Sequence, residues 1–159
     1  MLTIPNKLLQ AHFFLIKLDK WKLILLAVLI NLLNSFFYSF ISNIFFETKL
    51  SKGFIPFGSL TEEIILAILV APLFETFIFQ YGVFETFKKK YNSFTCCLIS
   101  AFLFGLLHLY NGFYFLFAFF AGLLLAYVYY IGSLTKKGIL ITLLVHFIYN
   151  ALAVILKNI

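Results

Sequence analysis

Long apolar stretches separated by short polar breaks organise this 159-residue chain. From Leu23 onward they recur at about 23–46, 60–87, 94–110, 113–131 and 138–156. Each is close to the ~20 residues a helix needs to cross ~30 Å of hydrocarbon. The third is short, and the second is long enough to tilt. Gly53, Pro56 and Gly58 break the chain before the second stretch, Asn111-Gly112 makes a tight turn between the third and fourth, and Gly132-Ser133 opens the loop before the fifth. Residues 1–20 mix apolar and basic side chains around Pro5 and read as an amphipathic segment lying in the membrane interface. A cleaved signal peptide fits less well, because the run from Leu23 is too long for an h-region and no A-x-A site follows it. The predicted fold is all-α, a polytopic membrane helix bundle of about five transmembrane helices. Residues 1–60 supply the interfacial segment and first helix, and residues 61–156 the core.

Composition agrees. With 64% hydrophobic, 21% aromatic and only 11% charged residues, too little polar surface exists to cover a soluble domain. No polar stretch is long enough to fold separately. The net charge of +6 does not indicate nucleic acid, since every base is a lysine and the lysines sit between the apolar stretches. Lys7, Lys17, Lys20, Lys22, Lys88, Lys89, Lys90, Lys136 and Lys137 fall on one side, against Lys49, Lys52 and Lys157 on the other. The positive-inside rule then places the N-terminus in the cytoplasm and the C-terminus outside. Labelling at Lys52, Lys89 and Lys136 is expected to report outside, inside and inside, and a cytoplasmic C-terminal fusion would contradict the arrangement. Abundant Lys, Phe, Ile and Asn without arginine suggests an AT-rich bacterial genome, and hence a bacterial cell membrane. Cys96 and Cys97 are adjacent and point in different directions on a helix, which suits packing better than a disulfide or metal clamp.

Against this background three ionisable residues stand out: Glu75, His108 and His146, each inside an apolar stretch. Ionisable side chains in hydrocarbon are costly and ordinarily functional. Glu75 lies ~20 Å along its helix from Lys88, His146 ~14 Å from Lys137, and His108 ~21 Å from Phe94, near the outer end of its short span. Asn150 follows His146 by four residues on the same helix face. A lone membrane histidine is ordinarily an interhelical hydrogen-bond partner, and Asn31 and Asn34, with Ser35 and Ser39 nearby, read as such glue. Glu62 and Glu63 suit a helix N-terminus beside Thr61, and Glu85 an interfacial ion pair with the Lys88–Lys90 cluster. Glu75, His108, His146 and Asn150 together point to one shared polar chamber.

Those residues fall into motifs. Glu75-Thr76-Phe77-Ile78-Phe79-Gln80 follows Pro72, Phe104-Gly105-Leu106-Leu107-His108 lies on the next span, and His146-Phe147-Ile148-Tyr149-Asn150 two spans later. In order and placement they resemble the CPBP family of CAAX-processing and bacteriocin-immunity intramembrane proteases, whose motifs are E-E-x-x-x-R, F-x-x-x-H and H-x-x-x-N or H-x-x-x-D. The first motif is altered: Thr76 stands for the second glutamate and Gln80 for the arginine, a neutral pair that could hydrogen-bond along one helix face. The resemblance, which extends over about residues 62–155, implies a glutamic intramembrane endopeptidase without a cofactor. Glu75 and His108 would activate water, and His146 and Asn150 would stabilise the oxyanion. Thr76, Gln80 and Phe104 would support the helix pair or bind substrate. Zinc held by Glu75, His108 and His146 is the alternative, although no H-E-x-x-H pair is present. The implied partners are membrane lipid and a membrane-associated peptide or protein, a bacteriocin or pheromone precursor among them, and no nucleic acid. The competing classes are a non-catalytic bacteriocin immunity protein or membrane scaffold, which would tolerate Glu75→Gln, and a proton- or cation-handling channel component.

Overall fold

The computed structural model describes residues 6–46 and 57–158; Pro5, Lys49, Lys52, Gly53 and Pro56, cited above, lie outside the described residues. Six helices and no strand occur among them: α1 (Asn6–Lys17), α2 (Lys20–Phe46), α3 (Leu60–Phe87), α4 (Ser93–Leu107), α5 (Gly112–Ser133) and α6 (Gly138–Asn158). Helices α2, α3, α5 and α6 are long and apolar enough to cross a membrane. The protein is an all-α integral membrane bundle. Helix α4 has 15 residues, ~22 Å of rise, so the third expected span is shorter than a full crossing and ends at Leu107.

Helix α5 forms the centre. Buried side chains make up 56% of its most apolar window, against 17% in α2 and in α3. It packs most extensively on α4, then on α6 and α2. Cys96 and Cys97 are free and buried, packed with Phe84, Ala126 and Tyr129, as the sequence led us to expect. Phe37 and Phe40 of α2 point outward, at no cost where the surroundings are lipid tails. The short α1 is fastened to α5 by His12, whose Nδ1 lies 2.7 Å from the Tyr127 hydroxyl and whose ring stacks on Tyr130 at 6.0 Å.

Side-chain caps define the helix starts. Asn92 accepts from the Thr95 N–H and Asn111 from the Tyr114 N–H, satisfying donors that the first turn leaves unpaired. Ser59 caps α3 by accepting from Glu62 N–H, while Glu62 accepts from Gly58 N–H. Glu62 therefore has the expected place. Glu63 does too, in the first turn of α3; it is also buried and accepts from Lys157 Nζ at 2.7 Å, joining the start of α3 to the end of α6. At the opposite, lysine-rich end, Glu85 pairs with Lys88 and accepts from the Tyr129 hydroxyl.

Helix α3 is wound unevenly. Ile64–Val70 and Thr76–Val83 are π-helical, with Ala71–Glu75 a short α-helical segment between them. Wide turns of this kind concentrate at functional sites. The first of them runs up to a proline. The Ala71 N–H reaches back five residues to Leu66 O, and in the same register Ala67 O would need a donor from residue 72. That residue is Pro72, which has no N–H. A backbone carbonyl left unpaired in hydrocarbon is costly, and a neighbouring helix supplies the missing donor.

Candidate active site

That donor is Asn150. Its Nδ2 donates to Ala67 O at 2.7 Å, so Pro72 creates the vacancy on α3 that Asn150 of α6 fills. A second such join lies lower on α3, where Ser100 of α4 donates to Phe79 O at 3.0 Å. These side-chain to backbone bonds fix α4 and α6 against α3 on either side of Glu75.

The three ionisable residues then meet. His108 Nε2 lies 3.9 Å from Glu75 Oε1, and His146 Nε2 lies 3.6 Å from Glu75 Oε2. Counted by residues alone, His108 falls near the outer end of its span. The helix ends at Leu107, and His108 is its C-cap residue, so it sits where α4 stops inside the bundle rather than at an outer surface. Measured from the shared Lys88–Asn92 turn, Glu75 and His108 rise by about the same ~20 Å.

Each histidine is held from behind. A carbonyl can only accept, so the 2.8 Å contact between His108 Nδ1 and Phe104 O places a proton on Nδ1 and leaves Nε2 of the neutral ring bare toward Glu75. His146 Nδ1 lies 3.3 Å from Thr76 Oγ1. The Phe104 ring packs on both imidazoles, with centroids 4.5 Å from His108 and 6.0 Å from His146. Gly122 of α5 makes room for that ring, since a Cβ there would come within 2.9 Å of Phe104.

The altered first motif behaves differently from expectation. Thr76 and Gln80 do not bond to each other. Thr76 faces His146 across the bundle, while Gln80 is fully buried with no partner for either amide atom among the described residues. Both lie in or at the π-helical segment Thr76–Val83, where the repeat closes at five residues instead of four, so i and i+4 no longer share a face. Nothing in the structure explains why Gln80 is kept at a cost of about 1–3 kcal/mol.

Glu75, His108 and His146 line a cavity of about 670 Å³ that extends to Phe57, Glu63 and Lys157 at the lysine-poor end, with Asn150 on its wall. Residues not anticipated from the sequence also line it. Tyr110 and Tyr114 flank the His108 ring, at 6.3 and 5.8 Å between centroids. Asn31, expected to be glue, is a third, while Asn34 does act as glue, donating to Phe117 O at 3.1 Å. Among the described residues no group of three His, Cys, Asp or Glu side chains is arranged to hold a metal ion.

Comparison with known proteins identifies a family. Residues 57–152 match a family model described as type II CAAX prenyl endopeptidase Rce1-like, a segment that begins just before α3 and contains all four chamber residues. No curated protein and no solved structure matches the chain. With more than half of its length matched, the chain belongs to the Rce1-like family of type II CAAX prenyl endopeptidases.

Proposed function

We propose that this protein is an intramembrane endopeptidase in which Glu75 and His108 activate a water molecule and His146 and Asn150 stabilise the oxyanion. The observation that carries the reading is the convergence of both histidines on one carboxylate, at 3.9 and 3.6 Å, from three different helices in a membrane bundle. Two acceptors 3.9 Å apart can share one water at about 2.8 Å from each. The water oxygen attacks the scissile carbonyl as its proton passes to the Glu75–His108 pair, and that proton later goes to the departing amine. The new C–O bond and the broken C–N bond leave a carboxyl and an amine, with no other reactant consumed.

His146 is set for the complementary role. When the Thr76 hydroxyl donates to Nδ1, the neutral ring carries its proton on Nε2, the atom facing the chamber. Asn150 has two N–H donors, of which Ala67 O uses one. Thr76 is thus a positioning residue for His146, as Phe104 is for His108. Loss of the motif's charged pair leaves this orientation to neutral hydrogen bonds.

The substrate is a peptide or protein segment within reach of the membrane, and the family's description makes a prenylated CAAX end the first to try. Purified protein in lipid nanodiscs should hydrolyse an internally quenched peptide ending in a prenylated CAAX sequence, with no loss of rate on adding 1,10-phenanthroline. Inhibition by the chelator, reversed by zinc, would return the chemistry to a metal. Absence of cleavage of this peptide and of an unprenylated control would favour a scaffold.

A further inference from the structure

Helix α2 lies outside the family-matched segment 57–152, yet it forms one wall of the cavity. Asn31, Ser35, Ser39 and Asn43 all line it. A spacing of four keeps successive side chains near one helix face, so these residues make a polar ladder along one face of a largely apolar helix. The facing wall, on α3, carries Ala67, Ala71 and Glu75, and the main packing of α2 is against α5 and α6.

One rung stands out. Asn31 is 1% exposed, and its Oδ1 accepts from nothing among the described residues. Asn34, one turn away on the same helix, is satisfied by Phe117 O. A buried acceptor without a donor destabilises the empty protein, and its retention in the cavity that Glu75 also lines makes sense if a ligand supplies the donor.

We propose that α2 is the substrate-binding wall, with Asn31 accepting from a backbone N–H of an extended peptide segment and Ser35, Ser39 and Asn43 continuing the contact toward the lysine-poor mouth. From Asn31 to Asn43 the helix rises ~18 Å, the span of about five residues of extended chain at ~3.3 Å each. An extended peptide in hydrocarbon has backbone groups that must be hydrogen-bonded, and an apolar wall could not do this. Asn31 lies ~16 Å along α2 from Lys20 and lines the same cavity as Glu75, so the ladder leads from the chamber outward. The inference rests on the endopeptidase reading for the direction of the chain, but it concerns binding.

The test therefore separates binding from cleavage. Affinity of a dye-labelled prenylated CAAX peptide is measured for Glu75→Gln protein in nanodiscs, alone and combined with Asn31→Leu, Ser39→Ala or Asn34→Leu. Asn31→Leu should weaken binding about tenfold and Ser39→Ala two- to fivefold, while Asn34→Leu leaves affinity unchanged. In protein retaining Glu75, the Asn31→Leu loss should fall mainly on KM. The melting temperature should rise with Asn31→Leu, because an unpaired polar group is removed, and fall with Asn34→Leu. Tight binding that depends on Asn31 but leads to no cleavage would sink the endopeptidase reading and leave this one standing. Unchanged affinity in both Asn31→Leu and Ser39→Ala, or no peptide binding by the parent protein, would overturn it.

Discussion

Glu75→Gln should eliminate hydrolysis while leaving a folded, membrane-inserted protein. The amide is nearly the size of the carboxylate and cheaper to place in a low-dielectric chamber. Its neighbours stay in place, because His108 is held by Phe104 O and His146 by Thr76, neither of which depends on the charge of Glu75. What disappears is the proton acceptor. General base catalysis contributes on the order of 10²–10⁴ in rate, and loss of the charge that orients the water should push the defect to the upper end. The measurement is initial rate on the quenched peptide, with melting temperature recorded on the same preparation. A variant with normal melting and full activity would make Glu75 a structural residue.

His108→Asn should produce the second-largest loss, on the order of 10²–10³ in kcat. Asparagine can place an N–H near the position of the imidazole Nδ1, so the bond to Phe104 O and the end of α4 can survive. It has no group equivalent to the bare Nε2 that faces Glu75 at 3.9 Å. The account expects kcat to fall far more than KM changes, and melting to shift little. A variant with unchanged kcat but lowered melting temperature would reduce His108 to a helix terminator.

The bundle itself was legible in the sequence because lipid-spanning helices must be long and apolar, and polar turns must lie between them. The chamber was legible for a related reason: Glu75, His108 and His146 have no inexpensive place facing lipid. Other features depend on how the chain winds. Counting residues placed His108 near an outer surface, since nothing in FGLLHLYNG announces that α4 stops at Leu107. The first π-helical stretch of α3 has one local signal, Pro72, and its consequence appears in the fourth helical turn of α6, where Asn150 satisfies Ala67 O. The same winding explains why Thr76 and Gln80, four apart, do not meet. Asn31 and Asn34 look alike in sequence, and only the direction of each side chain separates a cavity wall from an interhelical bond.

The most direct test of water activation at Glu75 follows the oxygen. With enzyme in excess over the peptide and H₂¹⁸O as solvent, mass spectrometry of the first-turnover product reads which oxygen entered the new carboxyl terminus. The account predicts one ¹⁸O atom in that carboxyl for the native protein and uncleaved peptide for Glu75→Gln. A cleaved product without ¹⁸O would show that a protein oxygen, not water, attacked the carbonyl, and would contradict the role assigned to Glu75 and His108.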